Sequence, residues 1–496
     1  MQFMRSAFKS APRPQLAAVM VLAVVGLAAT ATGAAAFMPG QVEIVTQGAF
    51  PTEVPSNTHY FHKIQEAVNV TKKGAWVLIE PGVYEEEVKV TKEHSGIWIR
   101  GMNRNTVVLN GEHITPNPTT GANGIEIIKA SNVSVENLTV ANFNRPELNG
   151  PGGNEIWWNG GADSKKIGSH GWWGRYLTAY DTGLNGGYGI FTNNEIEGGW
   201  ENIYASGFND SGIYLGACKE CQADITNATM ENNALGYSGS NSGGSLWIEN
   251  SIFRHNTTGI APNSENPGDG PPPQNGECNQ LNKPEPKHKL PKIETTEIAR
   301  CTIFRHNLIT ENNNLAVPAN NSAKAAPWGA GIELPGTYGD LVEENTITDN
   351  PNNGVLAFEY PNPYPPQSDT IDFQLSGNKI ADNTFSGNGY KGGAFAGDVA
   401  MEGGIFGTAQ SVNNCLTGNS FADATYPASI EGEWGCQNKT TPNAGGGFPF
   451  LEYLLTLQGE SENRESLVEV KGQPAPPSQP TMPNPCSEVP RNPLCP

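Results

Sequence analysis

The sequence predicts an all-β protein built as a single right-handed parallel β-helix, a solenoid whose coils stack on one another. Three observations predict it. Residue types recur at a fixed 23-residue period, as in Ile225 and Ile248, Asn227 and Asn250, Asn233 and Asn256, and Gly236 and Gly259. The segment Ile-Phe-Arg-His-Asn occurs at 252–256 and returns at 303–307. The composition, with 58 Gly, 38 Pro and only 16% charged residues in 496, suits many short strands and turns better than long amphipathic helices. A unit of this length offers three short apolar stretches, none of which can bury its inward side chains alone. Coiling lets each stretch pair with its counterpart one turn away, at about 4.8 Å. Asparagines recurring at the corners can then bond one another in a ladder, and glycine supplies left-handed corners.

In chain order, Arg5, Lys9 and Arg13 precede an apolar stretch from Leu16 to Ala29, and Ala34-Ala35-Ala36 follows. This pattern predicts a secretory signal peptide over 1–36, a mature chain starting near Phe37, and a location outside the cytoplasm (secreted, periplasmic or at the cell surface). An uncleaved anchor is the alternative; once the segment is removed, no membrane span is expected. The β-helix domain is expected over 37–437. "YFHKIQEAVNV" (60–70) carries helical spacing at Ile64, Ala67 and Val68 and predicts an N-terminal capping helix, with strands in "AWVLIEPGVYEEEVKV" (75–90) and "GIWIRGMNRNTVVLNG" (96–111). The two Ile-Phe-Arg-His-Asn copies lie 51 residues apart, one period plus 28, which predicts a Pro-rich loop insertion at about 262–297. A second loop, rich in Tyr and Pro, spans 359–370. Beyond 437 the repeat stops. Residues 449–458 predict a helix covering the last open coil, and the Pro-rich tail 471–485 is expected on the surface or disordered.

With export, the eight cysteines read as disulfides pairing sequence neighbours: 218–221, 278–301, 415–436 and 486–495. A redox reading of Cys218-Lys219-Glu220-Cys221 lacks a βαβ setting, and a zinc reading lacks a second cysteine pair.

The opening of the mature chain, a helix followed by Pro81-Gly82-Val83-Tyr84, resembles the pectate-lyase-like β-helix superfamily. "NDSGIYLGACKECQADITNATMENN" (209–233) is similar to secreted right-handed β-helix repeat proteins, and the resemblance spans about 45–437. It implies a partner that is a polysaccharide or other extended glycan. It places no catalytic residue. The chain has no Asp-Asp pair of the polygalacturonase kind. Gly168-Ser169-His170-Gly171 resembles that family's Gly-His-Gly but lies upstream of where an acid pair should be.

The residues themselves point to Glu155–Tyr176. Lys166, His170 and Arg175, with Lys165, are candidate catalytic groups for a uronate lyase, epimerase or hydrolase, and Asp163, Asp181 and Asp210 form an acidic set. Asp181 and Asp210 are candidate ligands for Ca²⁺, the cofactor this chemistry would use; a turn-forming role competes. Trp157, Trp158, Trp172 and Trp173 are candidate substrate platforms, although adjacency on a strand sends one of each pair inward. Phe191 and Tyr214, one period apart, should stack outward as a sugar-binding strip. His255 and His306 share a repeat position, which argues for a role in the solenoid. A net charge of −20 shows no basic face for nucleic acid, and it repels an acidic glycan unless a basic patch or Ca²⁺ offsets the field. The expected function is glycan recognition outside the cytoplasm by a monomer. Catalysis on uronate-containing glycans and, third, maturation of a periplasmic metal site remain open alternatives.

Overall fold

The computed structural model describes residues 40–161, 166–183, 185–218, 220–264, 290–294, 296–359, 374–403, 413–437 and 447–496. The expected signal peptide, Asp163, Lys165, Cys278 and most of the two long loops lie outside the described residues.

The architecture is a right-handed parallel β-helix. A regular coil contributes three strands, for example Ala223–Thr226, Thr229–Glu231 and Leu235–Ser240. Each pairs in parallel with its counterpart one coil on: Leu246–Glu249, Ile252–Arg254 and Thr258–Asn263. These stacks are termed faces A, B and C in that order. Faces A and B merge through a shallow bend into one 21-stranded sheet, and face C forms a separate 11-stranded sheet.

The strands are short because a residue in the left-handed region ends each one. Asn227, Asn232 and Asn250 take φ of 53°, 58° and 54°, and His255 and His306 take 54° and 55°. Asparagine tolerates this conformation better than most residues with a side chain. The two histidines are therefore corner residues of the solenoid. Contrary to the sequence reading they do not share a repeat position, because His255 ends a face B strand and His306 a face A strand. The register sets Ile303 opposite Trp247 and Ile252 opposite Leu308.

Inside, equivalent residues form columns. Ile225, Ile248, Phe304, Val342, Ile380 and Leu416 line up from face A, all buried. The expected asparagine ladder is present at two corners. Nδ2 of Asn233 donates to Oδ1 of Asn256 (3.1 Å), Asn256 to Asn312 (3.1 Å), Asn312 to Asn350 (3.0 Å) and Asn350 to Asn388 (2.9 Å). The second runs through Asn307, Asn345, Asn383 and Asn419. Each ladder ends on a carboxylate, Asp398 for the first and Glu431 for the second. An acceptor-only group suits that position, since the last amide still has N–H to donate.

The N-terminal helix Ile64–Val70 buries Ile64, Ala67 and Val68 over the first coil. Glu86 from a neighbouring loop accepts the free N–H groups of Ile64 (2.8 Å) and Gln65 (3.0 Å). The C-terminal end differs from expectation. The last coil is closed by the short helix Ile430–Glu433 and by Trp434, which joins the core. The helix Gly447–Glu462 lies instead along the outer side of face C, packing Phe450, Leu454 and Leu457 on Leu356, Phe358, Phe395 and Ala400. Leu356 and Ala400 point outward there, so that stretch of sheet needs an apolar cover.

The Pro-rich tail is ordered on the surface of the first coils. Nη1 of Arg100 donates to the carbonyls of Pro485 (2.9 Å) and Ser487 (2.7 Å), and Oδ1 of Asn137 accepts from Thr481 and Met482. Disulfides 218–221, 415–436 and 486–495 are formed.

Candidate functional site

The tryptophan-rich segment is split by the fold. Asn154–Asn159 lies on face C, whereas Ser169–Tyr180 begins on face A and continues into face B. Strand alternation sends Trp158 and Trp172 inward, where both are fully buried against Trp200 at centroid distances of 6.1 and 4.9 Å. These two are core residues and offer no platform to a ligand. Trp157 and Trp173 point outward, on different faces.

On face C, Trp157, Phe191 and Tyr214 stand in register. Trp157 stacks on Phe191 with centroids 5.1 Å apart and planes 6° from parallel, and Tyr214 meets Phe191 edge-on at 5.0 Å. The rings cover one another along the solenoid axis and leave mainly edges outward. The strip therefore stabilises the coils more than it offers stacking surface.

The candidate acid–base groups do not converge. Lys166 is exposed in the turn that carries the chain from face C to face A, and His170 is exposed at the start of the face A strand, its Nδ1 3.3 Å from Ser131 Oγ. Asp210 sits at the opposite end of the face C strands, ahead of Ser211–Gly216; six residues of strand span roughly 20 Å.

The two aspartates are committed to local structure. Asp181 accepts the backbone N–H groups of Gly183 (2.9 Å), Asn185 (2.6 Å) and Gly186, which makes it a turn former. Asp210 accepts from Ser211 Oγ (2.8 Å) and Asn320 Nδ2. Neither belongs to a cation cage. Among the described residues, the sole grouping of three potential metal ligands is Glu294 with Cys415 and Cys436, whose sulfurs are spent on a disulfide. Asp181 and Asp210, the expected Ca²⁺ ligands, thus spend their oxygens on turn and side-chain hydrogen bonds, and no cluster of soft ligands is present among the described residues.

Arg175 and Trp173 lie in a trough that sequence reasoning did not assemble. Two outward columns run along face A. One holds Trp98, Ser134, Trp173, Gly199, Asp224 and Trp247; the other holds Arg100, Glu136, Arg175, Glu201, Thr226 and Glu249. Gly199 interrupts the first column between Trp173 and Asp224, and the gap deepens into a trough of about 680 Å³. Glu136 is buried between two arginines, 2.5 Å from Arg100 Nε and 2.8 Å from Arg175 Nη2. Farther along, Arg305 pairs with Glu249 at 3.0 Å and lies 5.1 Å from the centre of the Trp247 ring. Four carboxylates and one guanidinium line the trough, so its field is acidic. The docked tail borders the end nearest the N-terminus, where Glu488 stands 4.0 Å from Arg175.

A signal for this trough existed in part, since Asp224 and Trp247 are one period apart. Upstream, the steps from Trp98 to Ser134, Trp173 and Gly199 are 36, 39 and 26 residues. Those unequal coils hide the column.

No protein-family model matches the chain, and no curated protein matches it. Among solved structures, the A-module of the mannuronan C-5 epimerase AlgE6 of Azotobacter vinelandii is similar at 14% identity, covering 72% of this chain and 90% of that one with a TM-score of 0.41. The tailspike protein of Escherichia coli bacteriophage HK620, solved with a pentasaccharide, is 12% identical over 70% of this chain and 54% of that one (TM-score 0.43). An alginate lyase from a Paenibacillus species is 14% identical over 65% and 93% (TM-score 0.35).

Proposed function

We propose that the protein recognises an extended, uncharged glycan along the face A trough, outside the cytoplasm. The observation that carries this reading is the pair of parallel columns that line the trough: the indoles of Trp98 and Trp173 beside the carboxylates of Glu201 and Glu249. Trp98 and Trp173 are two coils apart, as are Glu201 and Glu249; at about 4.8 Å per coil that is about 10 Å, close to two sugar units of an extended chain. Indole faces pack on the apolar side of a pyranose, and carboxylates accept hydroxyl hydrogens, so the chemistry favours a neutral sugar chain. The acidic excess works against a polyuronate. The dispersal of Lys166, His170 and Asp210 supports recognition over the lyase or epimerase reading.

Glycoside hydrolysis is the second reading, on one observation. Glu201 and Asp224 are outward, on adjacent coils and two residues out of register. Offsets of about 4.8 Å and 6.6 Å put their backbones roughly 8 Å apart, near enough for the two carboxyl groups to flank one glycosidic bond.

The test is affinity electrophoresis and reducing-end release with xylan, mannan, β-glucan, alginate and polygalacturonate. Neutral chains should retard the protein, and Trp173→Ala should weaken that binding about fivefold to tenfold. Retardation by the polyuronates alone, or binding unchanged in Trp173→Ala, overturns the proposal. Reducing ends released by the wild type and lost in both Glu201→Gln and Asp224→Asn would establish the hydrolase reading.

A further inference from the structure

Face C carries a cavity of about 220 Å³ beneath a strap formed by Ala325, Ala326 and Pro327. Its floor follows from the outward column of that face. Tyr214 is succeeded by Ser238, Ala261 and Glu333 in the next three coils, so two small residues leave a gap between a phenol ring and a carboxyl group. The strap is fixed in place. The backbone N–H of Asn320 donates to Asn209 O (2.8 Å), its side chain donates to Asp210, and Thr258 Oγ1 donates to Pro327 O (3.0 Å). Ala319 and Ala323 pack on Ala234, Leu235 and Ala261. The cavity is thus preformed.

Glu333 is the anomaly. It is 2% exposed and lines the cavity, yet among the described residues its one hydrogen bond is a long one from Thr258 Oγ1 at 3.3 Å. A carboxyl group taken out of water normally finds two or more partners, and the exceptions call for an explanation. The ladder-ending Asp398 accepts from Asn388, Ala422 and Asp423; buried Glu155 and Glu195 each leave one oxygen unpaired, but neither lines this cavity. Glu333 has no such cradle.

We propose that this cavity is a second binding site, separate from the trough, that takes one uncharged sugar ring or similar polyol with Glu333 as its polar anchor. The volume lies below the roughly 300–1,000 Å³ of drug-sized sites, which suits a single ring. The lining supplies Tyr188, Tyr214, Ser238, Ser240 and Asn263 for hydroxyl groups, with Leu235, Pro335 and Phe358 for the apolar side of a ring. No Lys, Arg or His lines the cavity to hold an anion. Burial pushes the Glu333 carboxyl well above its ordinary range. Burial thus favours the protonated form, and a carboxyl group in that form donates one hydrogen bond and accepts others, which is the pattern a sugar hydroxyl pair requires.

Calorimetric titration of the full chain with glucose, galactose, mannose, xylose and N-acetylglucosamine tests the proposal, with glucosamine and glucuronate as charged comparisons. At least one neutral sugar should bind the wild type. Ser238→Trp, which fills the cavity, and Glu333→Leu, which removes its anchor, should each weaken that binding by about tenfold or more. Glu333→Gln keeps a donor and an acceptor and should hold affinity within about threefold. Trp173→Ala, in the trough, should leave it unchanged, which separates this site from the proposed glycan surface. Circular dichroism of each variant establishes that the solenoid is intact. The proposal is overturned if no neutral sugar binds, if binding survives Ser238→Trp, or if glucosamine binds best and Glu333→Gln abolishes it.

Discussion

Replacing Glu136 by Gln should cost the solenoid about 3 kcal/mol, and the structure shows why the figure is not smaller. The Glu136 side chain is 1% exposed, and so is its partner Arg100. Its Oε2 accepts from Arg100 Nε at 2.5 Å, and its Oε1 accepts from Ser134 Oγ at 2.8 Å and from Arg175 Nη2 at 2.8 Å. Breaking a buried pair by removing one member costs about 3–5 kcal/mol, because the other charge is left uncompensated. Arg100 keeps some support from the Trp76 ring, 4.5 Å away, and from two tail carbonyls, which places the cost at the low end. Arg175, 39% exposed, returns to solvent for about 1 kcal/mol or less. Urea denaturation followed by far-ultraviolet circular dichroism measures this. Replacing both members together, Arg100→Met with Glu136→Met, should restore stability to within about 1 kcal/mol of the wild type, since neither charge is then buried. The double variant should nevertheless release the tail, because the donors to Pro485 and Ser487 are gone, and trypsin should then cut faster after Lys471 and Arg491. A single substitution costing less than about 1 kcal/mol, or a double variant no more stable than the single, would refute this account of the charge pair.

Three further outcomes are expected. Asn312→Leu removes the amide that accepts from Asn256 Nδ2 (3.1 Å) and donates to Asn350 Oδ1 (3.0 Å) and Phe253 O (3.2 Å); with buried partners stranded on both sides, it should cost about 2–4 kcal/mol in the same assay. Burial raises the Glu195 carboxyl from 4.5 to about 8, so the folded state holds a proton that the unfolded chain has lost. Its contribution is fully present below pH 4.5 and is lost as pH rises to about 8, and Glu195→Gln should flatten the fall in melting temperature across that window. Reducing Cys486–Cys495, which closes the hook packed on Val42, Trp76 and Leu78, should speed proteolysis of the tail and leave the melting of the coils unchanged.

The candidate site was legible only in fragments. Phe191 and Tyr214 were recognisable as outward residues from their period, and strand alternation, a local rule, put one tryptophan of each adjacent pair in the core without saying which. Arg175 was visible as a charge, but not its burial-grade partner Glu136, 39 residues earlier on the neighbouring coil. Glu333 gave no signal at all. A glutamate after Gly-Ile looks like an ordinary outward strand residue, and only the strap just upstream, folded over the face by its bonds to Asn209, Asp210 and Thr258, buries it.

The sequence by itself determined the solenoid. A left-handed corner residue, an inward aliphatic and an amide that bonds its own copy are requirements each coil meets within about two dozen residues, so they print as a period. What only the tertiary structure decided is which outward residues share a surface. Coils of 36, 39, 26 and 25 residues precede the regular 23, and stacking depends on strand register, not on distance along the chain. The tail adds contacts such as Arg100 with Pro485, 385 residues apart. Such pairings leave no periodic trace, because chain packing alone brings the two segments together.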